Sequence, residues 1–134
     1  ITYVKLHWNK EFEVLQTVPG IAEKLACYLI SDICPITRFK DEKKLRRYAG
    51  VIPCSQESGG KTYGSYLPKG SSRGILRWAL IQASWAAVKG KNNLSKYYNK
   101  KKKTRPKNRA IMAVASSLSD IVYHVLNTKK PYSV

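Results

Sequence analysis

The sequence predicts a mainly α-helical single domain with a glycine-rich loop in its middle. Three observations carry that expectation. Apolar residues recur at three- and four-residue intervals along residues 75–89 and 108–126, the spacing of one helix face. Six of the eight glycines fall within residues 50–74, so the helix breakers are gathered in one segment. The chain has 134 residues, 43% of them apolar, which suits one domain with a real core. No internal repeat is visible. No unbroken apolar run approaches the roughly 20 residues that a transmembrane helix needs.

Taken in order, residues 10–18 read as a short helix that stops at Pro19-Gly20. Residues 21–30 read as a second helix, with Ile21, Leu25, Tyr28 and Leu29 at helical spacing. A break follows at Asp32–Pro35. Asp41 is placed to cap a third helix, D-E-K-K-L-R-R-Y-A, which Gly50 ends. The glycine-rich segment 50–73 has room for a short hairpin around Lys61–Leu67. In the helix at 75–89, Leu76, Leu80, Ala83 and Ala87 form one stripe. Trp78 and Trp85 stand beside it and read as core or interface residues. A short amphipathic helix at 91–99 leads into a basic connector. The last helix, 108–126, carries Ile111, Val114, Leu118, Ile121 and Val125.

Charge limits the function. The formal net charge is +17, from 25 Lys and Arg against 8 Asp and Glu. Such an excess repels itself and calls for a polyanionic partner, nucleic acid before an anionic membrane surface. The charge is also uneven. No acidic residue occurs between Glu57 and Asp120, whereas Lys61, Lys69, Arg73 and Arg77 lie in that interval, with ten more basic residues from Lys89 to Arg109. Residues 58–110 are therefore expected to face phosphates. Cys27, Cys34 and Cys54 are odd in number and form no C-x-x-C pair, so neither a structural zinc site nor a disulfide framework is expected.

Four constellations bear on chemistry. The stretch E-F-E-V-L-Q-T-V-P-G-I-A-E-K-L-A, at about residues 10–31, has the helix, Pro-Gly turn, helix order of a helix-hairpin-helix element. In such an element the turn needs Gly20, and the second helix offers free N–H groups to a phosphate. An ordinary pair of packed helices has the same order. The run Lys100–Lys107, with Lys101, Lys102, Lys103 and Arg105, is a solvated connector that still gains counterion-release energy beside DNA. Tyr63 and Tyr66 are better placed to stack on bases than Trp78 or Trp85. In S-Q-E-S-G-G-K, residues 55–61, Gly59 and Gly60 let the backbone approach a phosphate, and Lys61 adds a charge. A serine there is placed to attack a phosphodiester, with Glu57 the nearest base, while the same residues also read as an ordinary surface turn. His124 and Asp120 share a helix face but assemble no triad with a serine in sequence.

The ordered set T-V-P-G-I-A-E-K-L-A-C-Y-L-I-S-D-I, F-K-D-E-K-K-L-R-R-Y-A-G-V-I-P, E-S-G-G-K-T-Y-G, L-R-W-A-L-I-Q-A-S, A-I-M-A-V-A-S-S-L-S-D-I-V-Y-H-V-L and K-K-P-Y resembles the C-terminal domain of DEDD transposases of the IS110 family, which includes Piv-type DNA invertases. The resemblance covers about residues 14–132. Glu57 departs from the paired serines often found before Gly-Gly, and the spacing from Lys69-Gly70 to Leu76-Arg77 is altered. The resemblance implies DNA transposition by cutting and rejoining through a phosphoserine, with Ser58 as nucleophile. Gly20, Gly59, Gly60, Lys61, Lys69, Arg73, Arg77, Lys101, Lys102, Lys103 and Arg105 are the expected phosphate contacts. It also implies an N-terminal RuvC-like domain, absent from these residues, that binds divalent metal such as Mg. No cofactor is expected in residues 1–134 themselves. The expected partners are DNA, an element-encoded guide RNA and further copies of the protein, in the cytoplasm at the nucleoid and away from membranes. The competing expectation is a helix-hairpin-helix module that grips nucleic acid without chemistry.

Overall fold

A helix of 22 residues, Lys107–Thr128, forms the centre of the fold. The computed structural model describes residues 2–51, 57–58, 61–62 and 73–132. Among these, the helices are α1 (Thr2–His7), α2 (Asn9–Leu15), α3 (Glu23–Ile33), α4 (Glu42–Ala49), α5 (Arg73–Val88), α6 (Asn93–Lys102) and α7 (Lys107–Thr128). Helix α7 packs against α2, α4, α5 and α6, and α3 packs against α2 and α5. The mainly α-helical expectation holds.

Side-chain size explains the centre. Leu118, Val122, Leu126, Val114 and Ala115 of α7 are fully buried or nearly so. Helix α5 faces inward with Leu76, Ala79, Leu80, Ala83 and Ala87. The alanines let helix backbones come close, while each large side chain contributes about 1.5–3 kcal/mol on burial. Helix α7 is long and apolar enough on average to cross a membrane by length and composition, although serines and Asp120 break its apolar run. Two thirds of its most apolar 18-residue stretch is buried inside this fold, so that apolarity serves the core.

The ends of the elements follow local chemistry. The Asp41 side chain accepts a hydrogen bond from the Lys44 N–H at 3.0 Å, capping α4. Gly50 closes α4 with φ of 74°, and the Gly50 and Val51 N–H groups donate back to Arg46. Both ends were legible in sequence. Helix α3 runs to Ile33, through the first part of the break expected at Asp32–Pro35. A 3-10 turn, Ile36–Arg38, follows. Helix α6 extends to Lys102, so Lys100, Lys101 and Lys102 are helical rather than a connector. In the glycine-rich segment, β1 (Glu57–Ser58) pairs antiparallel with β2 (Lys61–Thr62). Residues 63–67, the rest of the expected hairpin, lie outside the described residues.

Gly20, between α2 and α3, has φ of 89° and is wedged against α5. A Cβ there would run into the Ala83 carbonyl oxygen and lie 2.9 Å from the Ala87 nitrogen. Glycine at this position is therefore required by close helix packing as well as by the turn. Gly20→Ala is expected to destabilise the protein by about 3 kcal/mol and to lower Tm by about 10 °C. Thermal unfolding followed by circular dichroism checks this, and a Tm within about 2 °C of the parent would remove the wedge.

Candidate nucleic-acid interface

A hydrogen-bonded corner sets the angle between α5 and α6. Asn92 caps α6 by accepting from the Ser95 N–H at 3.0 Å, and the Ser95 hydroxyl accepts from the Asn92 N–H at 3.1 Å. The Asn92 side-chain amide also donates to the Ala87 carbonyl oxygen at 2.9 Å, tying the corner to the end of α5. This reciprocal cap fixes where the far end of α6 points. That end carries Lys100, Lys101 and Lys102 in its last turn, where the negative end of the helix dipole favours cations.

The ammonium groups around this corner are ordered on aromatic rings. Lys101 Nζ lies 5.3 Å from the Tyr97 ring centre and Lys102 Nζ 5.5 Å from that of Tyr98. Lys107 Nζ, from the first turn of α7, lies 5.9 Å from the Trp85 ring. Trp85 meets Tyr98 edge to face, with ring centres 6.0 Å apart. The rings hold the ammonium groups by cation–π attraction without neutralising their charge, a form suited to phosphates. Lys107 was visible in sequence as part of the basic run, but its place over Trp85 was not.

The other expected residues fall on several elements. Arg73 opens α5, and Arg77 lies half-buried one turn later, its Nε buried without a hydrogen-bond partner among the described residues. Lys103 and Arg105 lie in the link between α6 and α7. Ser58 and Lys61 are paired at the backbone between β1 and β2. Gly59, Gly60 and Lys69 lie outside the described residues, as do Tyr63 and Tyr66. Gly20 sits at the turn before α3, where its bulk-free Cα is occupied by the contact with α5. No group of His, Cys, Asp and Glu able to hold a metal ion occurs among the described residues.

Two titratable groups lie away from the basic face. Burial pushes the Cys34 thiol up to about 12, with Glu11 adding to the shift and Lys129 and Arg38 opposing it. A thiol so held is a poor nucleophile. Asp120 of α7 meets Arg46 of α4, with Nε to Oδ1 at 2.9 Å. Burial raises the Asp120 pKa above its ordinary value and Glu42 adds to this, while Arg46 and His124 pull it down. A raised carboxyl pKa means that the folded state holds this proton more tightly than the unfolded chain. The corresponding stability is complete below the ordinary carboxylate range and is lost as pH rises through the folded value. Asp120→Asn should therefore gain stability relative to the parent as pH rises from 3.5 to about 7. Thermal melts of both proteins across that range check this, and a difference that shrinks with pH would contradict it.

The model for the family described as Transposase IS116/IS110/IS902 matches residues 12–99. The match begins in α2 and ends in α6, so it includes Gly20, the Ser58 segment and α5. The chain is 23% identical over 122 residues to the insertion element IS116 uncharacterized 44.8 kDa protein of Streptomyces clavuligerus, covering 90% of this chain and 30% of that protein. It is 24% identical over 114 residues to the insertion element IS110 uncharacterized 43.6 kDa protein of Streptomyces coelicolor (strain ATCC BAA-471 / A3(2) / M145), covering 84% of this chain and 28% of that protein. The chain thus spans less than a third of the length of these curated relatives.

Proposed function

This chain belongs to the transposase IS116/IS110/IS902 family, and we propose that it grips DNA for transposition and supplies Ser58 as the strand-cleaving nucleophile. The family match across residues 12–99 supports this reading, because it takes in Ser58-Gly59-Gly60-Lys61 together with α5 and the Asn92–Ser95 cap of α6. The excess of +17, with no acid from Ser58 to Ser119, supports DNA as the partner.

The chemistry follows from the residue types. The Ser58 hydroxyl loses its proton to a base and attacks the phosphodiester phosphorus. The bond from phosphorus to the leaving strand breaks, and that strand departs as a hydroxyl after taking a proton. Attack by the hydroxyl of a second strand reverses the step and frees the serine, so one hard exchange becomes two easier ones. Lys61, Lys69, Arg73 and Arg77 neutralise the phosphate oxygens, and Gly59 and Gly60 give the backbone room beside them. Divalent metal, which stabilises an attacked phosphate, is held in this reading by carboxylates of a RuvC-like domain elsewhere in the full-length protein. Assembly of copies brings that domain to the serine, in the cytoplasm where the element's DNA lies. A guide RNA joins the complex in the same reading.

Two experiments test this. Full-length protein carrying Ser58→Ala should lose strand exchange by at least a thousandfold while keeping DNA affinity within about twofold, read in a recombination assay and a gel shift. Wild-type exchange by that variant would leave a binding module only, the helix-hairpin-helix alternative. Replacing Lys101, Lys102 and Lys107 together by Ala should reduce the slope of log affinity against log salt by about 2–3. An unchanged slope would place the DNA grip elsewhere.

A further inference from the structure

The outer face of α5 is a second, aromatic surface. Ile75, Trp78, Gln82 and Trp85 recur at three- and four-residue spacing, which places them on one stripe of the helix, with Lys89 just past its end. The stripe lies opposite the buried Leu76, Leu80, Ala83 and Ala87. Trp78 is 49% exposed, Ile75 57% and Tyr28 of α3 42%. Trp78 and Tyr28 meet edge to face with ring centres 5.8 Å apart and planes at 89°. Gly74, one turn before Trp78, leaves open space with no described atom within 4 Å of where a side chain would be. Helical side chains lean toward the N-terminus, so Gly74 is the position that would otherwise cover this ring.

Large aromatic pairs are usually buried, and this one is held in place yet open. Seven residues along the same stripe, about 10 Å away along the helix, stands Trp85 with Tyr98, Lys102 and Lys107 around it. Helix α5 carries no acidic residue. The stripe is aromatic at the Trp78 end and meets lysines at the Trp85 end, so it is not a continuous apolar groove for a protein helix. A strand of unpaired nucleotides finds both things it needs, a flat ring for a base and ammonium groups for its phosphates. Strand exchange between DNA partners also requires strands to leave their duplex.

We propose that the Tyr28–Trp78 pair is a stacking platform for an unpaired base of single-stranded DNA, whose phosphates run along α5 toward Lys102 and Lys107. This rests on the DNA-binding reading above and adds to it a preference for unpaired strands. Tyr28 fixes the tilt of Trp78 by its edge contact, and the exposed side of the indole accepts the base. The platform is independent of Ser58, so it is present in the binding-only alternative as well.

The test uses the chain as it stands and three labelled probes in anisotropy titrations: a 12-nucleotide oligothymidylate, an abasic oligomer with the same number of phosphates, and a 12-base-pair duplex. Trp78→Ala is expected to weaken oligothymidylate binding roughly 5- to 150-fold. Its affinity for the abasic oligomer and the duplex should stay within about twofold. Trp78→Phe should restore most of the loss, and Tyr28→Ala should give a smaller loss of the same selectivity. Circular dichroism melts of each variant, matched to the parent, exclude unfolding as the cause. If wild type binds thymidylate and abasic oligomers equally and Trp78→Ala changes neither, the platform is overturned while the electrostatic DNA grip stands. If wild type binds none of the three probes, the DNA reading fails and takes the platform with it. If Trp78→Ala instead changes the sedimentation of the free protein, the patch is a contact between copies and the proposal falls.

Discussion

The close approach of α5 to its neighbours is the constraint on which the rest of the structure depends. On one side α5 presents Leu76, Ala79, Leu80, Ala83 and Ala87 to the core, where it packs against α7. Near its C-terminal half it receives Gly20 against the Ala83 carbonyl oxygen. These contacts fix the rotation of α5 about its own axis. That rotation then decides which residues are left outside. Turned by one residue, Trp78 would enter the core at the place of Ala79 and Arg77 would take its place at the surface. The aromatic stripe is therefore a consequence of where the small residues are.

The same constraint organises the charge. A chain at +17 gains nothing from its own repulsion, and its few acids offset it only locally. Asp120 is used at Arg46, and Glu11 lies 3.8 Å from Lys129 at the end of α7. Neither pair is near the α5–α6 corner. There the positive charge is left for an external partner, and the Asn92–Ser95 cap with its bond to Ala87 keeps it in one place. Ordered lysines lose less freedom on meeting a phosphate than free ones. The cation–π contacts of Lys101, Lys102 and Lys107 supply that order without neutralising the charge.

Much of this was legible in the sequence where the signal is local. Asp41 and Gly50 bound α4 because capping and the left-handed turn are decided within four or five residues. The stripe Leu76, Leu80, Ala83, Ala87 was legible because the helical period is local as well. Gly20 was half legible. Its place in a turn could be read, but its contact with Ala83 joins segments far apart in the chain, and no spacing reveals that. Of the two places expected for Trp78, core or interface, its exposure removes the core, which its size alone did not reveal. The basic run was misread in conformation because lysines are good helix formers, and the Asn92 cap allows α6 to continue through Lys102.

The two surfaces of the fold also constrain how a serine at position 58 can work. Ser58 and Lys61 are joined through the β1–β2 pairing, in the segment between α4 and α5. The next described helix after the serine is α5, whose first two turns carry Gly74, Ile75 and Trp78. In the proposed reading, a strand lying along α5 from the lysines at one end leads toward those residues at the other. In the proposed reading, the base that activates the serine is Glu57 or a group from another part of the assembly. Asp120 is engaged with Arg46, and Cys34 is held as a neutral thiol by its burial. A basic, nearly acid-free surface is good at holding a phosphate and poor at removing a proton from a hydroxyl. In the proposed reading, dividing these two tasks between this fold and a carboxylate-bearing domain keeps the nucleophile inactive until both are on the same DNA.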